Sequence, residues 1–99
     1  MIIDYNLNNL GDTGLLFFYA SWASKCNLHL DALKRIQYEN KDMNIYKINV
    51  SKYPHFKKKY NINKIPSFVI IKNNNVIDKV NGYIDQYSLS RWVKEKWSL

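Results

Sequence analysis

The chain is 99 residues long, carries a formal net charge of +7 and contains a single cysteine. That length fits one domain over residues 1–99, and one cysteine excludes an internal disulfide and a zinc site of four cysteines. The chain lacks the roughly 20-residue apolar run of a membrane span, and its first residues do not resemble a secretion signal. We therefore expect a monomeric, cytoplasmic domain in a reducing compartment, without a membrane partner.

The positive charge lies in the second half of the chain. Residues 1–50 hold five basic and five acidic residues, whereas residues 51–99 hold ten basic and three acidic residues. The densest basic run, residues 57–59, is flanked by Phe56 and Tyr60. Basic residues beside aromatic ones can contact nucleic acid, but consecutive lysines point in different directions around a helix, as on a solvated face. We favour the solvated face and expect no nucleic-acid partner.

The apolar pattern of the first half predicts a strand, a helix and a second strand. Residues 14–20 form a continuous apolar run, which is typical of a buried central strand. From about residue 24 to residue 40, apolar residues recur three to four positions apart, which predicts a helix. Its apolar face comprises Cys26, Leu30, Leu33 and Ile36 or Gln37. Residues 44–50 are rich in β-branched side chains and predict the next strand.

The second half predicts a short helix, a hairpin and a final helix. In order, these are a helix entered at Pro54 and ending at Tyr60, a strand over 67–71, a turn at Asn73-Asn74, an edge strand over 76–80, and a helix from Asp85 or Ser88 to Trp97. The last helix is expected to bury Leu89, Trp92 and Val93. A helical crossover followed by a hairpin predicts an α/β domain whose mixed sheet has helices on both faces.

The segment from Phe18 to Cys26 leaves the first predicted strand and opens the long helix. A thiol near a helix N-terminus is stabilised as thiolate by the helix dipole, and Lys25 adds to this effect if it points toward the sulfur. The alternative is an inert core cysteine on the apolar face with Leu30 and Leu33. Periodicity taken alone favours that alternative.

The two histidines, His29 and His55, have no pair of acidic residues at ligand spacing beside them. We therefore expect no metal site and no cofactor. His29 follows Cys26 by three residues, so it either polarises the thiol or lies on the surface. We favour the surface position.

From this loop onward the sequence resembles the thioredoxin family. The family has Trp-Cys-x-x-Cys after an apolar strand, and this chain has Trp22-Ala23-Ser24-Lys25-Cys26. The further matching segments are Lys47-Ile48-Asn49-Val50 followed by Pro54, Lys59-Tyr60-Asn61-Ile62, Ile65-Pro66-Ser67, Lys72-Asn73-Asn74, Gly82, and Leu89, Trp92 and Val93. The resemblance covers roughly residues 14–97 and implies a thioredoxin-like fold.

The resemblance also implies a groove beside Pro66 that binds a protein or peptide substrate. In the family, a cis peptide bond precedes this proline, and the backbone beside it pairs with the substrate strand. The implied lining residues are Trp22, Ile65, Pro66, Gly82 and Tyr83. Ordinary packing at Trp22 and Ile65, and a simple turn at Gly82, are the alternatives. The implied electron donor resembles thioredoxin reductase.

The sequence departs from the family at its catalytic positions. In the family, the first loop cysteine attacks the substrate disulfide and the second resolves the mixed disulfide. These positions are Ala23 and Cys26 in this chain, and a methyl group is not a nucleophile. Phe17 stands where the family places a buried Asp that takes the proton of the resolving cysteine, although Lys47 matches the lysine paired with that Asp.

Two histories explain Ala23: a natural loss of the attacking cysteine, or an engineered Cys→Ala change. Three functions remain open on the sequence. The chain is a thiol–disulfide oxidoreductase of protein disulfides that lacks its attacking cysteine, a redox-inactive binding or scaffold module that uses the Pro66 groove, or a protein whose Cys26 acts alone through a mixed disulfide or glutathione adduct.

Overall fold

The computed structural model describes residues 1–23 and 29–98. Within these residues the elements are, in chain order, β1 (Ile2–Asp4), β2 (Gly14–Tyr19), α1 (Leu30–Glu39), β3 (Ile45–Asn49), α2 (His55–Lys59), β4 (Ser67–Lys72), β5 (Asn75–Asn81) and α3 (Gln86–Trp97). The predicted order of strands and helices is confirmed, with one strand added at the start.

The strands form one mixed sheet in the order β1-β3-β2-β4-β5. β3 runs parallel to both β1 and β2, whereas β4 is antiparallel to its neighbours β2 and β5. β2 is central because its continuous apolar sequence can be buried on both faces. The predicted mixed sheet is therefore confirmed.

Alternate residues of the central strand divide the core into two layers. Leu15 and Phe17 belong to one cluster, which α1 and α3 cover. Leu16 and Phe18 belong to the other, which α2 covers through Phe56. Helices therefore lie on both faces of the sheet, as the sequence predicts.

The sequence pattern misses β1 and wrongly places Leu30 on the buried face of α1, whereas Leu33 and Ile36 are buried as predicted. β1 has three residues, too few for a periodic signal, and its pairing with β3 begins at Ile2 opposite Ile45. On α1 the buried residues are Ala32, Leu33 and Ile36, whereas Leu30 is 38% exposed. Leu30 follows a buried residue, His29, by one position, and one step around a helix is about 100°. The prediction that Cys26 shares this face lies outside the described residues.

Trp92 is partly buried rather than fully buried, which corrects the prediction for α3. Its indole Nε1 donates a hydrogen bond to Asp78 Oδ2 at 2.8 Å. An indole keeps one polar edge, so the ring packs on the core while that edge reaches the carboxylate at the surface. Leu89 and Val93 are fully buried, as predicted.

Candidate functional site

Four chain segments meet at one edge of the sheet, which we call the loop edge (residues 20–23, 50–51, 64–66 and 82–83). The strand register brings them together. Phe18 lies opposite Ile48 in a parallel pair and opposite Ser67 in an antiparallel pair, and Ser67 lies opposite Asn81. β2 and β3 therefore end where β4 begins and β5 ends.

Trp22 and Ala23 follow β2 at the loop edge. Trp22 is 70% exposed, and its Nε1 donates to Ser51 Oγ at 3.0 Å, which ties the segment after β2 to the segment after β3. Ala23 is partly buried, packs against both core clusters, and donates its backbone N–H to Ala20 O at 3.1 Å. Cys26, the predicted partner of position 23, lies outside the described residues.

The segment before β4 contributes Ile65 and Pro66. The peptide bond between them is cis, and Pro66 is buried. The Pro66 carbonyl accepts the Gly82 N–H at 2.8 Å, and the buried Ser67 hydroxyl is within hydrogen-bond distance of the Lys64 carbonyl. These bonds fix the turn against the end of β5.

The backbone of Ile65 is available for pairing. The Ile65 side chain is partly buried and packs against both core clusters. Within residues 1–23 and 29–98, no hydrogen bond uses its backbone N–H or C=O, because the ladder with β2 and β5 starts only at Ser67. An unpaired donor and acceptor at the end of a sheet can pair with an added strand.

Gly82 and Tyr83 close the loop edge after β5. Gly82 is buried with φ of +94°, a backbone conformation that residues with a side chain rarely adopt. A Cβ at Gly82 would lie 3.3 Å from Lys64 Cδ, so the lysine stem passes beside it. Tyr83 is 51% exposed, with its ring centroid 5.3 Å from the His29 ring.

His29 is buried, with 1% of its surface exposed, so the prediction of a surface position is wrong. Its spacing from Ala32, Leu33 and Ile36 matches the apolar face of α1, and that spacing is the signal that identifies it as buried. The ring packs between Phe68, at 4.9 Å between centroids, and Phe17, at 6.0 Å. His29 thus joins the core behind the loop edge.

The hydrogen bond of His29 assigns its tautomer. Nε2 lies 2.9 Å from the Ile84 carbonyl oxygen, which only accepts, so Nε2 carries the proton. The other ring nitrogen, Nδ1, is buried and has no hydrogen-bond partner among the described residues. His29 therefore holds the chain just after Gly82 and Tyr83 through Nε2.

A buried phenyl ring, that of Phe17, occupies the position of the family's buried Asp. Phe17 is 1% exposed and stacks on Phe68 at 5.2 Å between ring centroids. Lys47, the matching lysine, pairs instead with Asp4 at 3.6 Å and lies 5.5 Å above the Tyr19 ring. The described part of the site is apolar where the family is acidic.

Asp85 lies just beyond the loop edge as the N-cap of α3. Its carboxylate accepts from the Ser88 backbone N–H at 2.9 Å and from the Ser88 hydroxyl at 2.8 Å. The Ser88 backbone N–H, which favours the charged carboxylate, lowers the pKa of Asp85 below its ordinary value. This carboxylate is therefore already hydrogen-bonded as the cap of the helix.

Residues 1–23 and 29–98 contain no group of three or more His, Cys, Asp or Glu side chains that could hold a metal ion. None of the helices described above has the length and apolar character required to cross a membrane.

Comparison with known proteins identifies the family. A thioredoxin family model matches residues 4–95. Thioredoxin of Chlamydia caviae is 28% identical over 92 residues, which cover 91% of this chain and 90% of that protein. Chloroplastic thioredoxin Y2 of Arabidopsis thaliana is 32% identical over 77 residues, which cover 77% of this chain and 46% of that protein. The crystal structure of thioredoxin NaTrxh from Nicotiana alata superposes with a TM-score of 0.82 at 16% identity, covering 96% of this chain and 91% of that one.

The fold and these matches define a family of the thiol–disulfide oxidoreductase type. The chain belongs to the thioredoxin family, with Ala23 at the first cysteine position of the loop. The family and the fold predicted from the loop and from the segments beyond it are confirmed. The catalytic and substrate-binding roles of the individual residues stay predictions.

Proposed function

We propose that this chain binds extended segments of partner proteins at the loop edge, and that Ala23 prevents it from completing a dithiol–disulfide cycle. The observation that supports the proposal is the unpaired backbone of Ile65, which lies on the same sheet edge as the exposed Trp22 and Tyr83. A free N–H and C=O pair with an added strand, and aromatic side chains bury apolar surface of the bound segment.

The redox part of the proposal follows from counting sulfur atoms. A first thiolate attacks a partner disulfide, forms a mixed disulfide and releases one partner thiolate. A second thiol of the protein, as thiolate, attacks that bond, so an internal disulfide forms and the other partner thiolate leaves with both electrons. Ala23 supplies no sulfur for the first step, whereas Cys26 is the residue that matches the second.

Insulin reduction with dithiothreitol as the electron source tests this account. We expect insulin to be reduced at the uncatalysed rate in the presence of the unmodified chain and faster in the presence of the Ala23→Cys variant. Ala23→Ser is the matched control, because a hydroxyl has similar size but does not attack disulfides at neutral pH. A rate for Ala23→Cys equal to that of Ala23→Ser would refute the oxidoreductase assignment.

A second candidate function, a binding module without sulfur chemistry, is favoured by the composition of the described loop edge. Ala23 leaves the first cysteine position without sulfur, while the exposed Trp22 and Tyr83 and the Ile65 backbone can still bind a segment without a covalent bond. This candidate predicts that Cys26→Ser captures the same partner proteins as the unmodified chain, in equal amounts and without a reductant-sensitive link. Loss of partners from Cys26→Ser would exclude it and indicate that the single thiol acts covalently.

A further inference from the structure

Lys64 brings a positive charge to the loop edge that no carboxylate within residues 1–23 and 29–98 neutralises. The residue is exposed and immediately precedes Ile65, whose backbone forms no hydrogen bond within the part of the chain that the structure describes. Its stem passes beside Gly82, because a Cβ built there would lie 3.3 Å from Lys64 Cδ and 3.9 Å from Lys64 Cβ. The ion pairs among the described residues join Lys47 to Asp4 and Lys96 to Asp78, so Lys64 takes part in none of them.

The other charges of this region give the loop edge a positive balance. Lys52 follows Ser51, which accepts the hydrogen bond of Trp22, and its Nζ lies 5.6 Å from the centre of the Tyr53 ring. The acidic residue nearest along the chain, Asp85, has its carboxylate bonded to Ser88. Among the described residues, Lys64 therefore supplies the positive charge directly beside Ile65, and the carboxylate of Asp85 already serves as a helix cap.

We propose that the partner segment recognised at the loop edge is acidic, with an Asp or Glu carboxylate that meets Lys64 beside the residue paired with Ile65. This inference rests on the proposed function and specifies the chemistry of its partner. Lys64 and Ile65 are consecutive, so a strand that bonds to the Ile65 backbone passes within reach of the lysine side chain. Complementary charge selects acidic segments and repels basic ones.

Fluorescence anisotropy with three labelled peptides tests the proposal on the unmodified chain. The peptides share one short, Thr- and Val-rich sequence and differ only in a central triplet of Asp, Asn or Lys. We expect the Asp peptide to bind about 2- to 5-fold more tightly than the Asn peptide, since exposed ion pairs contribute this much, and the Lys peptide to bind weakest. The Asp preference shrinks as salt rises from about 50 to about 500 mM, because exposed charges are screened.

Charge variants at two lysines test whether the preference for the Asp peptide depends on Lys64. Lys64→Gln brings the Asp and Asn peptides to equal affinity, and Lys64→Glu reverses the order of the Asp and Lys peptides. Lys58→Gln and Lys58→Glu, on the exposed face of α2, make the same changes in net charge and leave the order intact.

Two outcomes would overturn the proposal: equal binding of the Asp and Asn peptides to the unmodified chain, or a loss of preference in Lys58→Glu as large as in Lys64→Glu. Equal binding of the Asp and Asn peptides would refute only the acidic preference and would leave the proposed function intact. Failure of all three peptides to bind would refute the acidic preference and the proposed function together.

Discussion

Gly82 closes the loop edge behind Pro66, and its backbone conformation sets the cost of placing any side chain there. Its φ of +94° lies outside the regions that L residues adopt without strain. Holding alanine in such a conformation costs on the order of 1–3 kcal/mol. Alanine also restricts the unfolded chain, which offsets about 0.4–1 kcal/mol. We therefore expect Gly82→Ala to lower the free energy of unfolding by about 1–2 kcal/mol.

Steric contact with Lys64 is the other possible cause of a loss of stability in Gly82→Ala. The structure allows backbone strain and steric contact to be separated. The new Cβ would lie 3.3 Å from Lys64 Cδ, which belongs to a flexible side chain that can move away. Lys64→Ala removes that atom. If the backbone carries the cost, the effects of Gly82→Ala and Lys64→Ala add within about 0.5 kcal/mol.

Urea unfolding followed by far-UV circular dichroism measures these free energies. For a domain of this size, 1 kcal/mol corresponds to roughly 4–8 °C in Tm, so Gly82→Ala is expected to lower Tm by roughly 5–15 °C. Asn63→Ala, an exposed change before Lys64, is the control and should stay within about 0.5 kcal/mol. A Gly82→Ala protein as stable as the unmodified chain, or full rescue by Lys64→Ala, would refute the backbone argument.

Three further predictions concern the fold that supports the site. In urea unfolding, Leu33→Ala should lower the free energy of unfolding by about 2–5 kcal/mol and Leu30→Ala by less than about 1 kcal/mol, because Leu33 is 1% and Leu30 is 38% exposed. Equal losses would contradict the assigned buried face of α1. The Trp92 hydrogen bond lowers the pKa of Asp78 below 3.8, so its stabilisation is present above that pH and is lost as pH falls through the lower folded value. Asp78→Asn should therefore lower the free energy of unfolding by about 1 kcal/mol at neutral pH, discounted for partial exposure, and by less as the pH falls below 3.8; a pH-independent difference would contradict this. Asn74 has φ of +67° in the turn between β4 and β5, so Asn74→Gly should raise stability by roughly 0.5 kcal/mol in the same assay, and a lower stability would argue against a left-handed turn.

Apolar patterning was sufficient to predict most of the fold. The run at residues 14–20 is long and uninterrupted because β2 is buried on both faces, and the Asn73-Asn74 turn is recognisable because asparagine tolerates positive φ. β1 was not predicted because it is a strand only through its pairing with β3, which joins residues more than forty positions apart. Such pairings leave no local signal in three residues.

The candidate site was predictable in its residue types but not in its contacts. The family resemblance identified Trp22, Pro66 and Gly82, yet it offered no indication of the Trp22–Ser51 hydrogen bond or of the unpaired Ile65 backbone. His29 was misjudged because histidine is usually found near the surface, whereas its helical spacing and its Ile84 partner hold it in the core. These contacts depend on where the strands end, which only the three-dimensional arrangement shows.

The hydrogen bond between His29 and Ile84 joins residues 55 positions apart, and the bond between Trp22 and Ser51 joins residues 29 apart. We therefore expect the loop edge to form late during synthesis. Residues 20–23 are made early, but the surrounding bonds form only after the chain beyond β5 has left the ribosome. Fragments that end before residue 84 would contain Trp22, Ala23 and Pro66 without the bond that holds their surroundings. We therefore expect the proposed binding at the loop edge only in chains that include the segment through Ile84.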